Sequence, residues 1–357
     1  MDHDLPPPDR PCVQVTAGPG IAAALPQLLG FAPEESLVVV ALGGDRRVGL
    51  TLRVDLPPPG LERPLAGELV DALRPGRPTA AVVLVVTEDP DEPWPVLQGS
   101  TLPRLALLHE VTAALVRAGI RVTETLLVRG GRCWDYDDPA DGAGRTLPTG
   151  TSALAAASAY AGQVTAPDRA ALVARTARVS GPAAAAAARV CARIGAGHAA
   201  RLSQVGWEQW AEESWASVLT ALELCRPGSR TRPDDEALAR VAWAVGDTEL
   251  RGRALTLGLG EDAAAAETLW TEVLRRVPAP LDVAPATLLA VTAWSRGDGT
   301  TASIALDRAL DGQPGHPFAL TLRAALAAAL PPHDLRRFLA GLDATDHRPV
   351  AEGRRAG

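Results

Sequence analysis

The sequence contains no lysine and no asparagine, and all 35 of its basic residues are arginine. The missing lysine excludes three chemistries at once. A Walker A loop ends in Gly-Lys-Ser/Thr, a protein kinase carries a strand lysine, and pyridoxal enzymes form a Schiff base through a lysine. The sequence also lacks a Gly-x-Gly-x-x-Gly fingerprint after a strand, a His-Glu-x-x-His helix and a Gly-x-Ser-x-Gly nucleophile elbow. Phe, Tyr and Met are scarce, at three, two and one, against abundant Ala, Gly, Pro and Arg. Those biases follow GC-rich codons, so Ala-richness and arginine in place of lysine are not functional signals.

Cys12, Cys133, Cys191 and Cys225 are far apart and form no Cys-x-x-Cys pair. They read as isolated thiols of a reducing cytosol, and no metal site is assigned to them. The six His are isolated too, which suits surface or capping roles better than ligation. A net charge of −7 argues against a general nucleic-acid binder, which shows a basic face. The start, MDHDLPPPDRP, has neither a basic nor an apolar signal region. No apolar run reaches the roughly 20 residues that span a bilayer. The expectation is a soluble, cytoplasmic protein with no membrane segment.

With 357 residues and 47% hydrophobic content, the chain is long enough for two cores. The stretch Leu25–Leu56 organises the first. Ser36–Leu42, SLVVVAL, is apolar throughout, as in a strand covered on both faces. After Gly43-Gly44-Asp45, Val48, Leu50, Leu52, Val54 and Leu56 alternate with Arg47, Gly49, Thr51, Arg53 and Asp55. That is the period of a half-buried strand, and the pair reads as a hairpin. Arg53 and Asp55 fall on its polar face, about 7 Å apart by strand geometry.

LLGF (Leu28–Phe31), Pro33, SLVVV (Ser36–Val40) and RVDL (Arg53–Leu56) resemble the actinobacterial domain-of-unknown-function family 4192. A second block, Leu288–Leu310, extends the similarity, which runs from about Gln14 to Pro332. The resemblance implies no activity or cofactor. Members of that family often have a Cys-Cys-Pro segment after the aromatic strand near Trp134. This chain has Asp135-Tyr136-Asp137-Asp138-Pro139 there, so no metal role carries over.

In order, residues 1–12 read as a disordered Pro-rich start and 13–137 as a mixed-sheet α/β domain. Within it, Val13–Thr16 is a short strand and Gly20–Leu29 a helix, followed by the hairpin. Leu61, Leu65, Leu69 and Leu73 make a helix stripe, and Ala80–Thr87 is a second buried strand. Glu88–Thr101 is an acidic, Pro-rich loop around Trp94. Leu102–Ala118 is a helix capped by Gly119, and Ile120–Arg129 with Arg132–Tyr136 forms another hairpin. Two crossover helices linking apolar strands require at least partly parallel pairing. Residues 138–151 read as a linker, 152–340 as an all-α domain and 341–357 as a disordered tail. Eleven helices are expected there, at about 152–162, 167–177, 183–196, 203–225, 234–245, 247–258, 262–276, 285–296, 300–311, 316–329 and 334–340.

Ala286–Pro314 has the spacing of a tetratricopeptide-like helical hairpin: Leu289 and Ala290, a Gly297-Asp298 turn, then Ala302, Leu306 and Ala309. The aromatic positions of that repeat are Ala286 and Ala293 here, and one helix pair is too few for a solenoid. Six Trp in this half (207, 210, 215, 243, 270 and 294) read as packing groups, with an aromatic-lined groove as the alternative. The Cys225–Pro233 loop, with Arg226, Arg230 and Arg232, reads as solvated, with an anion grip as the alternative.

The candidate ligand-binding residues are Arg53, Asp55, Glu88, Asp89 and Arg129, all at strand edges or ends. Ligands of open α/β sheets favour the crevice beyond the carboxyl ends of strands. Converging acids there suit a small molecule or a divalent metal. The plainer reading is an Arg53–Asp55 surface pair worth about 0–1 kcal/mol. No catalytic residue and no cofactor is assigned. The leading expectation is a non-enzymatic binding or scaffold module whose helical domain meets a protein partner. The alternative is a metal-assisted hydrolase of a phosphorylated or nucleotide substrate, with Asp55 and Glu88 at the metal and Arg53 as anion clamp.

Overall fold

The computed structural model describes residues 18–44, 47–94, 99–138, 142–150, 152–160, 165–328 and 330–346. The strand expected at Val13–Thr16 and residue Cys12 lie outside them. The chain divides into two compact units, Met1–Leu172 and Val173–Gly357.

In the first unit, α1 (Pro19–Leu29) leads into β1 (Ser36–Leu42) and β2 (Val48–Asp55). Then come α2 (Glu62–Leu73), β3 (Ala80–Val86), β4 (Glu92–Trp94), β5 (Gly99–Thr101) and α3 (Leu105–Arg117). β6 (Arg121–Arg129), β7 (Arg132–Asp135), β8 (Arg145–Thr146) and α4 (Ala153–Tyr160) complete it. The main sheet has the order β2-β1-β3-β6-β7-β8. Of these described neighbours, β3 and β6 pair in parallel and the rest are antiparallel. Because β1 runs opposite to both β2 and β3, the strands β2, β3 and β6 share one direction. Each helical crossover therefore joins two co-directional strands, and the ends of β2, β3 and β6 meet the start of β1 at one sheet end.

Every residue of β1 is buried, and so is β3 up to Val85. Leu37 and Val39 of β1, Val83 and Val85 of β3, and Leu127 of β6 pack against Leu69, Leu73, Leu108, Val111 and Leu115 of α2 and α3. A buried Val or Leu of this kind contributes about 1.5–3 kcal/mol. The opposite face of the sheet meets α1: Gly18 at its start donates its N–H to Glu124 of β6, which shares a face with Leu126. In turn, α4 packs on α1.

The segment 88–101, expected as a loop, instead contains β4 and β5, which pair as a separate two-stranded ribbon. Pro90, Asp91, Glu92 and Pro93 are exposed, so no apolar alternation announces it. Within 138–151, Arg145–Thr146 add a last short strand to the sheet.

Beyond β8 the described residues form helices and no further strand, apart from an isolated bridge between Phe31 and Ala166. α5 (Arg169–Thr176) straddles the division between the units. The second unit continues with α6 (Gly181–Val205), α7 (Trp207–Leu224), α8 (Asp235–Gly246), α9 (Thr248–Leu257) and α10 (Ala263–Arg276). It ends with α11 (Val283–Ser295), α12 (Gly299–Gly312), α13 (Pro317–Ala327) and α14 (Pro332–Asp346). Asp234, Asp247 and Asp298 cap α8, α9 and α12 by accepting N–H bonds in the first turn.

All thirteen residues of α11 are buried. It packs against α8, α9, α10, α12 and α14, so apolar residues line every side of it. Its polar side chains are satisfied from within: Thr287 Oγ1 donates to Ala284 O, Thr292 Oγ1 to Leu288 O, and Ser295 Oγ to Gly258 O at 2.7 Å. α12 pairs with it across a turn in which Gly297 takes φ 85°.

Candidate functional site

All five candidate residues fall at the shared sheet end, in two groups. On β2, Arg53 pairs with Asp55 at 2.6 Å and donates to Ser36 Oγ at 2.7 Å and Glu34 O at 3.2 Å. The Asp55 side chain is 83% exposed, so this pair sits at the rim. Glu88, Asp89 and Arg129 lie at the ends of β3 and β6. Asp55 and Glu88 are separated by β1, about 10 Å by strand spacing, so their carboxylates do not share one coordination sphere by backbone placement alone.

The second group is the denser. Arg104, immediately before α3, donates from Nε and Nη2 to Asp89 Oδ2 at 2.9 and 2.8 Å. Its backbone N–H donates to Glu92 Oε1 at 2.9 Å. Arg129 donates to the Asp89 carbonyl at 2.7 Å and to Asp91 Oδ1 at 2.9 Å. Its guanidinium lies 4.9 Å from the centre of the Trp134 ring. That indole also approaches Gly144 so closely that a Cβ there would come within 2.4 Å of it. Arg132 holds the Gly144 approach by donating to Ala143 O at 2.8 Å and Gly144 O at 2.6 Å. Beside them Tyr136 donates its hydroxyl to Pro103 O at 2.6 Å, and burial pushes its phenol well above the ordinary value.

Glu88 accepts the Gly130 N–H at 3.0 Å, and its own N–H donates to Glu35 at 3.0 Å. Glu35 and Arg104 are both non-glycine residues with positive φ, 39° and 62°. Sequence reasoning missed Glu35, Asp91, Arg104, Trp134 and Tyr136 as members of the group. In the sequence Arg104 is one more surface arginine, and the position of Asp91 depends on a ribbon without sequence signal.

Elsewhere, five of the six tryptophans of the second unit pack in its core. Trp210, Trp215, Trp270 and Trp294 are buried, Trp243 donates Nε1–H to Cys191 O, and Trp207 is 39% exposed. Two of the three loop arginines are engaged: Arg226 pairs with Glu223 and Asp262, and Arg232 donates to Leu224 O. Cys133, Cys191 and Cys225 are buried and outside any disulfide. Among the described residues, no three His, Cys, Asp or Glu side chains group to hold a metal, and no helix is long and apolar enough to cross a membrane.

The fold and site thus define a mixed-sheet α/β domain with a cluster of paired charged residues at its strand ends, joined in sequence to a helical region. The chain matches the family described as Domain of unknown function (DUF4192) over residues 19–333, and it belongs to that family. No curated protein and no solved structure matches it.

Proposed function

We propose that the chain is a non-enzymatic binding module. The crevice beyond β3 and β6 is its ligand seat, and the helical region offers the surface for a protein partner. The observation that carries this reading is the commitment of the charged groups. Asp55 is held by Arg53, Asp89 by Arg104, Asp91 by Arg129 and Glu88 by the Gly130 N–H. Carboxylates so engaged are suited to fixing arginines in place. A general base instead needs free reach to a substrate proton. For the helical region, the support is the close α11–α12 pair. Ala290, Ala302, Leu306 and Ala309 are fully buried there, as a tetratricopeptide-like hairpin needs.

A metal-assisted hydrolase is the second reading; it has Asp55 and Glu88 at one sheet end, with β1 between them and no metal-holding group among the described residues. The test is a thermal-shift screen of the full chain at millimolar nucleotides and phosphorylated sugars, with and without Mg²⁺ or Mn²⁺, and with product analysis. Binding lost in Arg104→Gln and Arg129→Gln, without turnover, is the expected result. Turnover abolished by Asp55→Asn or Glu88→Gln would replace the binding module with the hydrolase. Shifts indifferent to the arginines, or no shift from any ligand, would remove the seat.

A further inference from the structure

One short acidic segment supplies acceptors to both crevice arginines. Asp89 takes Arg104 through two N–H bonds, Asp91 takes Arg129, the Asp89 carbonyl takes Arg129 again, and Glu92 takes the backbone N–H of Arg104 just before α3. Planar guanidinium groups and the start of a helix are the groups that proteins use to grip phosphate and carboxylate ligands.

Two further observations separate the grip from what fills it. Each arginine also has a support other than the acids: the Arg129 guanidinium lies over Trp134, itself wedged against Gly144, and the Arg104 backbone opens a thirteen-residue helix. The acids are the outer partners. Asp89 and Asp91 side chains are 41% and 40% exposed, against 28% and 20% for Arg104 and Arg129. β4, which carries Glu92, pairs with β5 and not with the main sheet, and residues 90–93 are all exposed. Withdrawing these carboxylates breaks no strand pairing of the six-stranded sheet and uncovers no buried side chain among residues 90–93.

We propose that Asp89, Asp91 and Glu92 are internal stand-ins for an anionic small molecule bearing phosphoryl or carboxylate groups, which exchanges with them on Arg104, Arg129 and the start of α3. The proposal rests on the ligand seat of the preceding section and adds the ligand's chemistry and its regulation. A tethered competitor acts at high effective concentration, so it weakens the apparent affinity for any free anion. Glu35 and Glu88 stay behind, bound to the Thr87 hydroxyl and to the Glu88 and Gly130 amides, so the exchange concerns the outer acids alone.

The experiment is isothermal titration of the full chain with inorganic pyrophosphate and, separately, citrate. The Asp89→Asn/Asp91→Asn variant is expected to bind one or both at least about tenfold tighter than the unmodified chain. Adding Arg104→Gln to that variant should abolish the gain. Tightening for pyrophosphate alone assigns a phosphoryl ligand, and for citrate alone a carboxylate ligand. Equal affinities in variant and parent, no binding of either anion, or tight binding that survives Arg104→Gln would overturn the proposal. A neutral or cationic ligand that depends on the arginines but gains nothing from the acid substitutions would overturn it while leaving the binding module standing. If circular dichroism shows the double variant unfolded, Glu92→Gln decides. It should tighten binding by about threefold, and an unchanged affinity overturns the proposal.

Discussion

The Glu35 carboxylate, just ahead of β1, accepts the Thr87 hydroxyl at 2.8 Å and the Glu88 amide at 3.0 Å, just beyond β3. Its carbonyl accepts the Leu56 N–H at 3.1 Å, just beyond β2. One residue therefore ties three strand ends together, from a backbone at φ 39°.

Glu35→Ala is expected to cost about 1–2 kcal/mol in urea denaturation, because the buried Thr87 hydroxyl and the Glu88 amide lose their acceptor. Glu35→Gly loses the same bonds but suits the positive φ, so it should be about 0.5–1 kcal/mol less damaging than alanine. Equal costs would refute the strain at this position.

In α6, Gly195 lies so close to the Trp243 indole that an added Cβ would sit 2.3 Å from it. Gly195→Ala should lower stability by roughly 1–3 kcal/mol, although alanine is the better helix former by about 1 kcal/mol. A cycle with Trp243→Leu should show coupling between the two sites. A melting temperature raised by Gly195→Ala would place the indole elsewhere.

Asp282 is fully buried and bridges Arg178 and Arg308. Removing the shared carboxylate leaves two guanidinium groups without it, so Asp282→Ala should cost about 3 kcal/mol. The lower end of the range for buried pairs applies, because the Arg178 side chain is 44% exposed and keeps access to water. Chemical denaturation measures the loss; a change under about 0.5 kcal/mol would show that the bridge is not formed.

Burial pushes the Asp298 carboxyl above its ordinary value, against the pull of the Thr301 hydrogen bonds and of Arg175 and Arg296. Glu267 faces the same group and is raised by burial too, although Arg296 pairs with it at 2.9 Å. For such acids the folded state holds the proton more tightly than the unfolded one. Their contribution is therefore largest below about pH 4 and declines as pH rises toward the folded value. Asp298→Asn removes one of these titrations while keeping a good helix cap. The variant should lose less stability than the parent between about pH 4 and 7. Parallel stability curves over that range would contradict the burial.

Much of the fold is legible in the sequence because its elements are long and strongly patterned. Ser36–Leu42 is the apolar run read from the sequence, and the eleven expected helices each find a counterpart among α4–α14. The differences have local causes. α6 runs on to Val205 through Gly195 and Gly197, where the sequence suggests a stop at 196; the first of these glycines accommodates an indole from α8. β4, β5 and β8 are only two or three residues long, too short to leave a period. At the site, Asp55, Glu88, Asp89 and Arg129 are legible as strand-end residues. Their division into two groups is not, because it depends on β1 lying between β2 and β3.

A helix without an outer face, as α11 is, also lacks a route by which solvent reaches its amides in the folded state. Its N–H groups should exchange with deuterium only when the surrounding helices come apart together, which makes their protection a direct gauge of that unit's cooperative opening. The same enclosure means that a docking partner must read α11 second-hand, through the helices that cover it.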